Sequence, residues 1–193
     1  MDTLTIGNSR KTHSTRHFFG EYHVEGITSN SLAKRIADEN MHEKFSGKFD
    51  NSLRTSHRLE DLGTICGVTY INDSRSTNVN GTWYALEMMT KPVIWIAGGV
   101  DRGNNYTCIE PLVKKKVKGM VYLGIDSYPF QKRFGEIMSP IISCADMFEA
   151  VRFASKLANP GDVVLFSPSG ASFDLFDNYE DRGRQFCAHV ANL

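Results

Sequence analysis

From His57 to the last residue, short runs of uninterrupted apolar residues alternate with stretches in which apolar residues recur every three or four positions. The runs are VTYIN at 68–72, VIWIA at 93–97, MVYLG at 120–124 and VVLFS at 163–167, with a shorter PIIS at 140–143. Each is of strand length, and a strand that is apolar throughout is buried on both faces, as in a parallel sheet. Between the runs, Val79, Trp83, Leu86 and Met89 keep helical spacing, as do Met147, Ala150, Val151, Ala154, Leu157 and Ala158. A third helix is expected around 109–118 and a last one over 178–191, with Phe186 and Val190 turned inward. Strands alternating with helices predict parallel pairing through helical crossovers. The fold class read from 57–193 is therefore α/β, a Rossmann-like, doubly wound, mostly parallel sheet.

Upstream the pattern weakens. Residues 30–45 place Leu32, Ile36 and Met41 on one face of a weakly amphipathic helix, and residues 1–29 are polar and without a period. Residues 1–56 are thus expected to form a helical and irregular appendage to the domain at 57–193.

Composition narrows the classes of function. With 22 basic and 22 acidic residues the formal charge is zero, which argues against nucleic acid or an anionic membrane surface as a partner. No apolar run approaches the length of a membrane span. The opening MDTLTIGNSRKTHSTR has no apolar signal segment, so a cytoplasmic protein is expected. Cys66, Cys108, Cys144 and Cys187 are far apart and form no CxxC, which fits reduced thiols better than disulfides or zinc. His13, His17 and His23 are irregularly spaced with no carboxylate or cysteine to complete a set. No metal site is expected.

Candidate chemistry lies after the strands. An open parallel sheet binds ligands beyond the carboxyl ends of its strands. Three strands lead into loops of small and polar residues: Asp73-Ser74-Arg75-Ser76-Thr77-Asn78, Gly98-Gly99-Val100-Asp101-Arg102-Gly103, and Ser167-Pro168-Ser169-Gly170-Ala171-Ser172. Taken singly, each is also what helix capping produces, with Asp73, or Thr77 and Asn78, as the cap of the next helix. Taken together on one sheet edge, they offer two guanidinium groups, several hydroxyls and free backbone amides, a set suited to a carboxylate. The motifs of tight polyphosphate binding are absent: there is no GxxxxGK[ST], Gly47-Lys48 is followed by Phe49, and GGVDRG is not GxGxxG. No GxSxG or HExxH occurs either.

At these loops the sequence resembles the muramyl (Mur) ligase family. The resemblance runs from His57-Arg58-Leu59-Glu60 through Tyr70–Asn78 and Trp95–Gly103 to Pro160–Asp174 and Asn178–Gly183. The order and spacing of these motifs over 57–193 make it specific, and it favours the branch of the family that adds D-glutamate to UDP-muramoyl-alanine. The resemblance implies an ATP-dependent amide ligase of peptidoglycan precursor synthesis, in which this segment is the C-terminal, amino-acid-binding domain. It implies that Arg58 and Asp73 reach ATP, and that Arg75, Thr77, Arg102, Ser172, Phe173 and Tyr179 line the D-glutamate pocket. Arginine stands at 75 and 102 where the family usually carries lysine. ATP and Mg2+ would serve the complete enzyme, held with UDP-muramoyl-alanine by parts of the ligase that these residues do not resemble. This chain alone is then expected to hold neither cofactor firmly. A non-catalytic amino-acid-binding or interaction module of the same descent is the alternative, and a different amino acid a variant within the family.

Overall fold

A computed structural model describes residues 56–193 of the 193-residue chain. The helix expected over 30–45 and the appendage around it lie outside the described residues. Twelve elements follow one another: β1 (Glu60–Ile65), β2 (Val68–Asn72), α1 (Val79–Met88), β3 (Val93–Gly98), a 3-10 turn (Tyr106–Cys108), α2 (Glu110–Lys116), β4 (Val117–Leu123), α3 (Tyr128–Phe134), β5 (Ile141–Cys144), α4 (Met147–Leu157), β6 (Val163–Ser169) and α5 (Tyr179–Val190).

The strands form one sheet in the order β1-β2-β6-β3-β4-β5. β1 runs antiparallel to β2, and every other pair is parallel. The expected mostly parallel α/β sheet is thus present, with an antiparallel strand added at one edge. That strand departs from the sequence expectation, and so does α3. EDLGTI alternates only weakly and is half exposed, as an edge strand paired on one side is. α3 has two buried apolar residues, Phe130 and Phe134, too few to show a period. The strand expected at 120–124 begins earlier, at Val117, because Lys116 ends the preceding helix.

Alternate side chains of the central strands feed two cores. Val93, Trp95, Val163, Leu165, Met120 and Tyr122 face α1, α2 and α3. Ile94, Ile96, Val164, Phe166, Val121 and Leu123 face α4 and α5, including the inward Phe186 and Val190. The sheet is covered on both sides, which is why the strands read as continuous apolar runs. Trp95 is fully buried, meets Phe130 and Phe134 edge to face, and donates its ring N–H to the Ser167 carbonyl at 2.8 Å. Each longer helix begins on a side-chain cap: Asn78 accepts from Gly81 N, Asp146 from Glu149 N and Asn178 from Asp181 N. Such caps stabilise a helix start by about 1 kcal/mol each. Among the described residues no helix is long and apolar enough to cross a membrane.

The topology fixes where the loops meet. The chain steps outward from β3 to β5 and then returns, so that β6 enters between β2 and β3. The carboxyl ends of β2, β6 and β3 are therefore neighbours. The three loops singled out in the sequence rise from one edge, at the place where strand order reverses.

Candidate functional site

The three loops are bound to one another before any ligand is considered. Ser169 closes β6 in a left-handed conformation, with φ 64°. Its amide donates to the Ser76 carbonyl at 3.0 Å, and its carbonyl accepts from Asn104 Nδ2 at 3.1 Å. Val100 and Ala171 form an antiparallel bridge. Gly170 passes so close to the β3 loop that a Cβ there would lie 2.5 Å from the Gly98 carbonyl oxygen. Glycine is required where two backbones approach this closely.

Beneath the loops lies a chain of buried polar groups. Asp73 accepts from the Leu59 amide at 3.2 Å and from Ser167 Oγ at 2.7 Å. Ser167 Oγ and Ser169 Oγ both reach Thr82 Oγ1, at 3.0 and 2.9 Å. Asp73 is only 2% exposed, and burial raises its carboxyl above the ordinary aspartate range, against the hydrogen bonds from Ser76, Ser167 and Leu59. Its role as a helix cap is excluded, since Asn78 fills that place.

Residue by residue, the expected site divides into an exposed and a buried set. Arg58, Arg75, Thr77, Arg102 and Phe173 are exposed, Tyr179 is half-buried, and Asp73 and Ser172 are buried. The Arg75 guanidinium lies over the Tyr179 ring, 5.7 Å from its centroid. The Tyr179 phenol is raised chiefly by its hydrogen bond with Glu180, and both Arg75 and Arg58 act on it in the opposite sense. Arg58, Arg75 and Tyr179 are thus brought to one neighbourhood. Arg102 stands in the β3 loop without a charged partner among the described residues. Asp101 instead turns its carboxylate onto the amides of Gly103 and Asn104, and Glu110 pairs with Arg133.

One residue of this region was not expected as part of the site. Arg182, in the first turns of α5, is 1% exposed. Its Nε donates to Ser74 Oγ at 3.1 Å, its Nη2 to the Ser74 carbonyl at 2.8 Å and its Nη1 to the Gly170 carbonyl at 3.0 Å. Burial lowers its pKa to about 10. A charged residue in an amphipathic helix reads as part of the solvated face. The spacing Arg182, Phe186, Val190 places it on the inward stripe and was the available signal.

A second cluster adjoins the loop after β2, where the His57 carbonyl accepts from the Arg75 amide and Asn72 Oδ1 from the Ser74 amide. The Asn72 amide nitrogen lies 2.9 Å from His57 Nδ1, 3.0 Å from Glu60 Oε2 and 3.1 Å from Cys187 Sγ. His57, Glu60 and Cys187 are close enough to share a cation. The mixed nitrogen, oxygen and sulfur set does not suit Mg2+, which demands octahedral oxygen ligands, and the two hydrogens of the Asn72 amide nitrogen are within reach of all three.

Comparison with known proteins bears on what these loops belong to. Residues 57–170 match the family described as "Mur ligase, glutamate ligase domain". UDP-N-acetylmuramoylalanine–D-glutamate ligase of Porphyromonas gingivalis is 50% identical over 167 residues, covering 85% of this chain and 37% of that protein. The ligase of the same name from Christiangramia forsetii is 43% identical over 195 residues, covering 98% of this chain and 43% of that protein. The chain therefore spans less than half the length of these relatives. A solved MurF from Acinetobacter baumannii shares the fold, with a TM-score of 0.50 at 12% identity over 83% of this chain and 35% of its own. The order of the motifs, the sheet that carries them and these matches agree: the chain belongs to the Mur ligase family, through that family's glutamate ligase domain.

Proposed function

We propose that residues 57–193 bind and orient the incoming amino acid, D-glutamate, for an ATP-dependent ligase that joins it to UDP-N-acetylmuramoylalanine. The observation that carries this reading is the convergence of three βα loops at the strand-order reversal, with exposed Arg58, Arg75 and Arg102 around them. Glutamate brings two carboxylates, and guanidinium groups recognise carboxylates through two parallel hydrogen bonds. Arg75 is held over Tyr179, so its planar fork is partly ordered before a ligand arrives, which lowers the entropy lost on binding. Thr77, released from capping by Asn78, and the Ser172-Phe173 segment complete the proposed pocket.

ATP is the energy source of the proposed reaction, and Arg58 is the exposed cation placed to meet its anionic part. Asp73 contributes from beneath, since both its oxygens already accept hydrogen bonds. The one cluster of candidate metal ligands among the described residues, His57, Glu60 and Cys187, does not suit Mg2+. The chain's own work is positioning: an amine held in line with an activated carboxyl carbon reacts as if at high local concentration. We place the protein in the cytoplasm, where a water-soluble, UDP-linked substrate is at hand.

Calorimetric titration of the whole chain with D-glutamate, L-glutamate and ATP, each separately, tests the reading. Saturable heat with D-glutamate and weaker heat with L-glutamate is expected. Equal response to both enantiomers, or none to either, overturns it. The 193 residues contain no phosphate-binding GxxxxGK[ST] loop, so an ADP-release assay on this chain with all three substrates is expected to read background.

A further inference from the structure

Removing a guanidinium from water costs several kcal/mol unless its hydrogen bonds and a countercharge replace the lost hydration. Arg182 has the hydrogen bonds without a direct ion pair among the described residues. Asp174 acts on it only at longer range, and Asp174 Oδ1 is itself buried without a partner. A leucine or methionine would fill the same place over Phe166, whose ring lies 5.9 Å away, without that cost. What an apolar side chain would not supply is the set of bonds Arg182 makes.

Those bonds end on the roots of two different loops. Two reach Ser74, in the loop after β2, and one reaches Gly170, in the loop after β6. The third loop passes against the same group, since a Cβ on Gly99 would lie 3.0 Å from Arg182 Nη1. Ser74 Oγ in turn donates to the Tyr179 carbonyl at 2.8 Å, and Tyr179 carries the ring on which Arg75 lies. A rigid planar group thus holds fixed the spacing between the arm bearing Arg75 and Thr77 and the arm bearing Ser172 and Phe173. We infer that Arg182 is a positioning residue of the amino-acid site, one that touches no ligand and sets the separation of the loops that do. The inference rests on the function proposed above for those loops.

The test compares Arg182→Met and Arg182→Lys with Val190→Ala in the full chain. Val190 is buried on the same helix, away from the loops, and its truncation supplies a loss of stability without a loss of staple. Amide hydrogen exchange in 73–78 and 170–176 is read with the rest of the sheet as reference. Arg182→Met is expected to speed exchange selectively in both segments, by about tenfold or more relative to Val190→Ala, the scale of one lost charge-assisted bond. Arg182→Lys, which cannot bridge both arms, should fall between. D-glutamate affinity should drop about tenfold in Arg182→Met and stay within about twofold in Val190→Ala. Identical exchange profiles for Arg182→Met and Val190→Ala overturn the inference. So does unchanged D-glutamate affinity in Arg182→Met while the parent binds. If the parent binds no D-glutamate, the proposed function fails, and the exchange measurement still decides the role of Arg182. If Arg182→Met does not fold, Arg182→Lys must loosen the same two segments, and failure to do so refutes it.

Discussion

Arg102 and Asp73 belong to two of the three loops of the site and stand at opposite extremes of solvation. Arg102 is exposed and unpaired among the described residues, so its removal should leave the fold alone. Arg102→Ala is expected to change unfolding free energy by less than about 0.5 kcal/mol. It should weaken D-glutamate binding by about 1.5–3 kcal/mol, the range of a charge-assisted contact. Arg102→Lys should bind at least as well as Arg102→Ala. Equal affinities in all three proteins would assign Arg102 to the surface and leave Arg75 as the carboxylate ligand. Asp73 answers to pH. Its carboxyl is raised by burial, so the fold favours the protonated form. The stability it contributes is present below about pH 4, the ordinary aspartate range, and is lost as pH rises through the higher folded value. Asp73→Asn removes that titration. Urea unfolding should show the variant gaining on the parent as pH is raised from the acid range to neutrality, and a gap that shrinks with pH would contradict this. Arg75, Thr77 and Arg102 were legible as site candidates because a charge or hydroxyl in a loop after a buried strand has few structural duties. The burial of Asp73 and the bonds of Arg182 were not, because both depend on partners about a hundred residues away in sequence.

At the scale of elements, the end of β3 tolerates least. Gly98 has φ 148° and Gly99 φ 86°, and a Cβ at Gly98 would run into the Leu123 carbonyl oxygen of the neighbouring strand. Gly98→Ala is therefore expected to destabilise by more than about 3 kcal/mol, as a backbone clash within the sheet requires. Urea midpoints measure it, and a loss below about 1 kcal/mol would mean that β3 and β4 part more easily than their register suggests. The central strands were readable from their apolar runs because both faces are covered. β1 escaped notice for the opposite reason. Only one side of it is paired, and its Leu62 and Ile65 are partly buried at best. The inward positions of α4 and α5 were legible where four-residue spacing persisted over two or more turns, which the seven residues of α3 do not allow.

The whole molecule is expected to carry its stability in the segment with the two cores. Residues 57–193 made alone should unfold in a single cooperative transition, seen identically by the fluorescence of Trp83 and Trp95 and by circular dichroism. Thiol labelling gives a second reading. Cys66 and Cys108 are exposed and should react at once. Cys144 is buried, with its thiol pushed up to about 11, and should react only as the sheet opens. Two separated transitions, or Cys144 labelling before the unfolding midpoint, would show that the segment does not fold as one unit.

The place of β6 has a consequence for how the protein is made. It is the last of the six described strands, yet it lies between β2 and β3 and is bonded to both. A nascent chain emerging from the ribosome holds β1 to β5 in two parts with an open slot between them, each part presenting unpaired edges. Neither part can close on the other until residue 169 has left the ribosome, so productive folding of this sheet awaits β6 rather than advancing strand by strand. Long-range pairing of this kind is slow. Ribosome-bound chains halted before Val163 should recruit holdase chaperones that the released, folded chain does not.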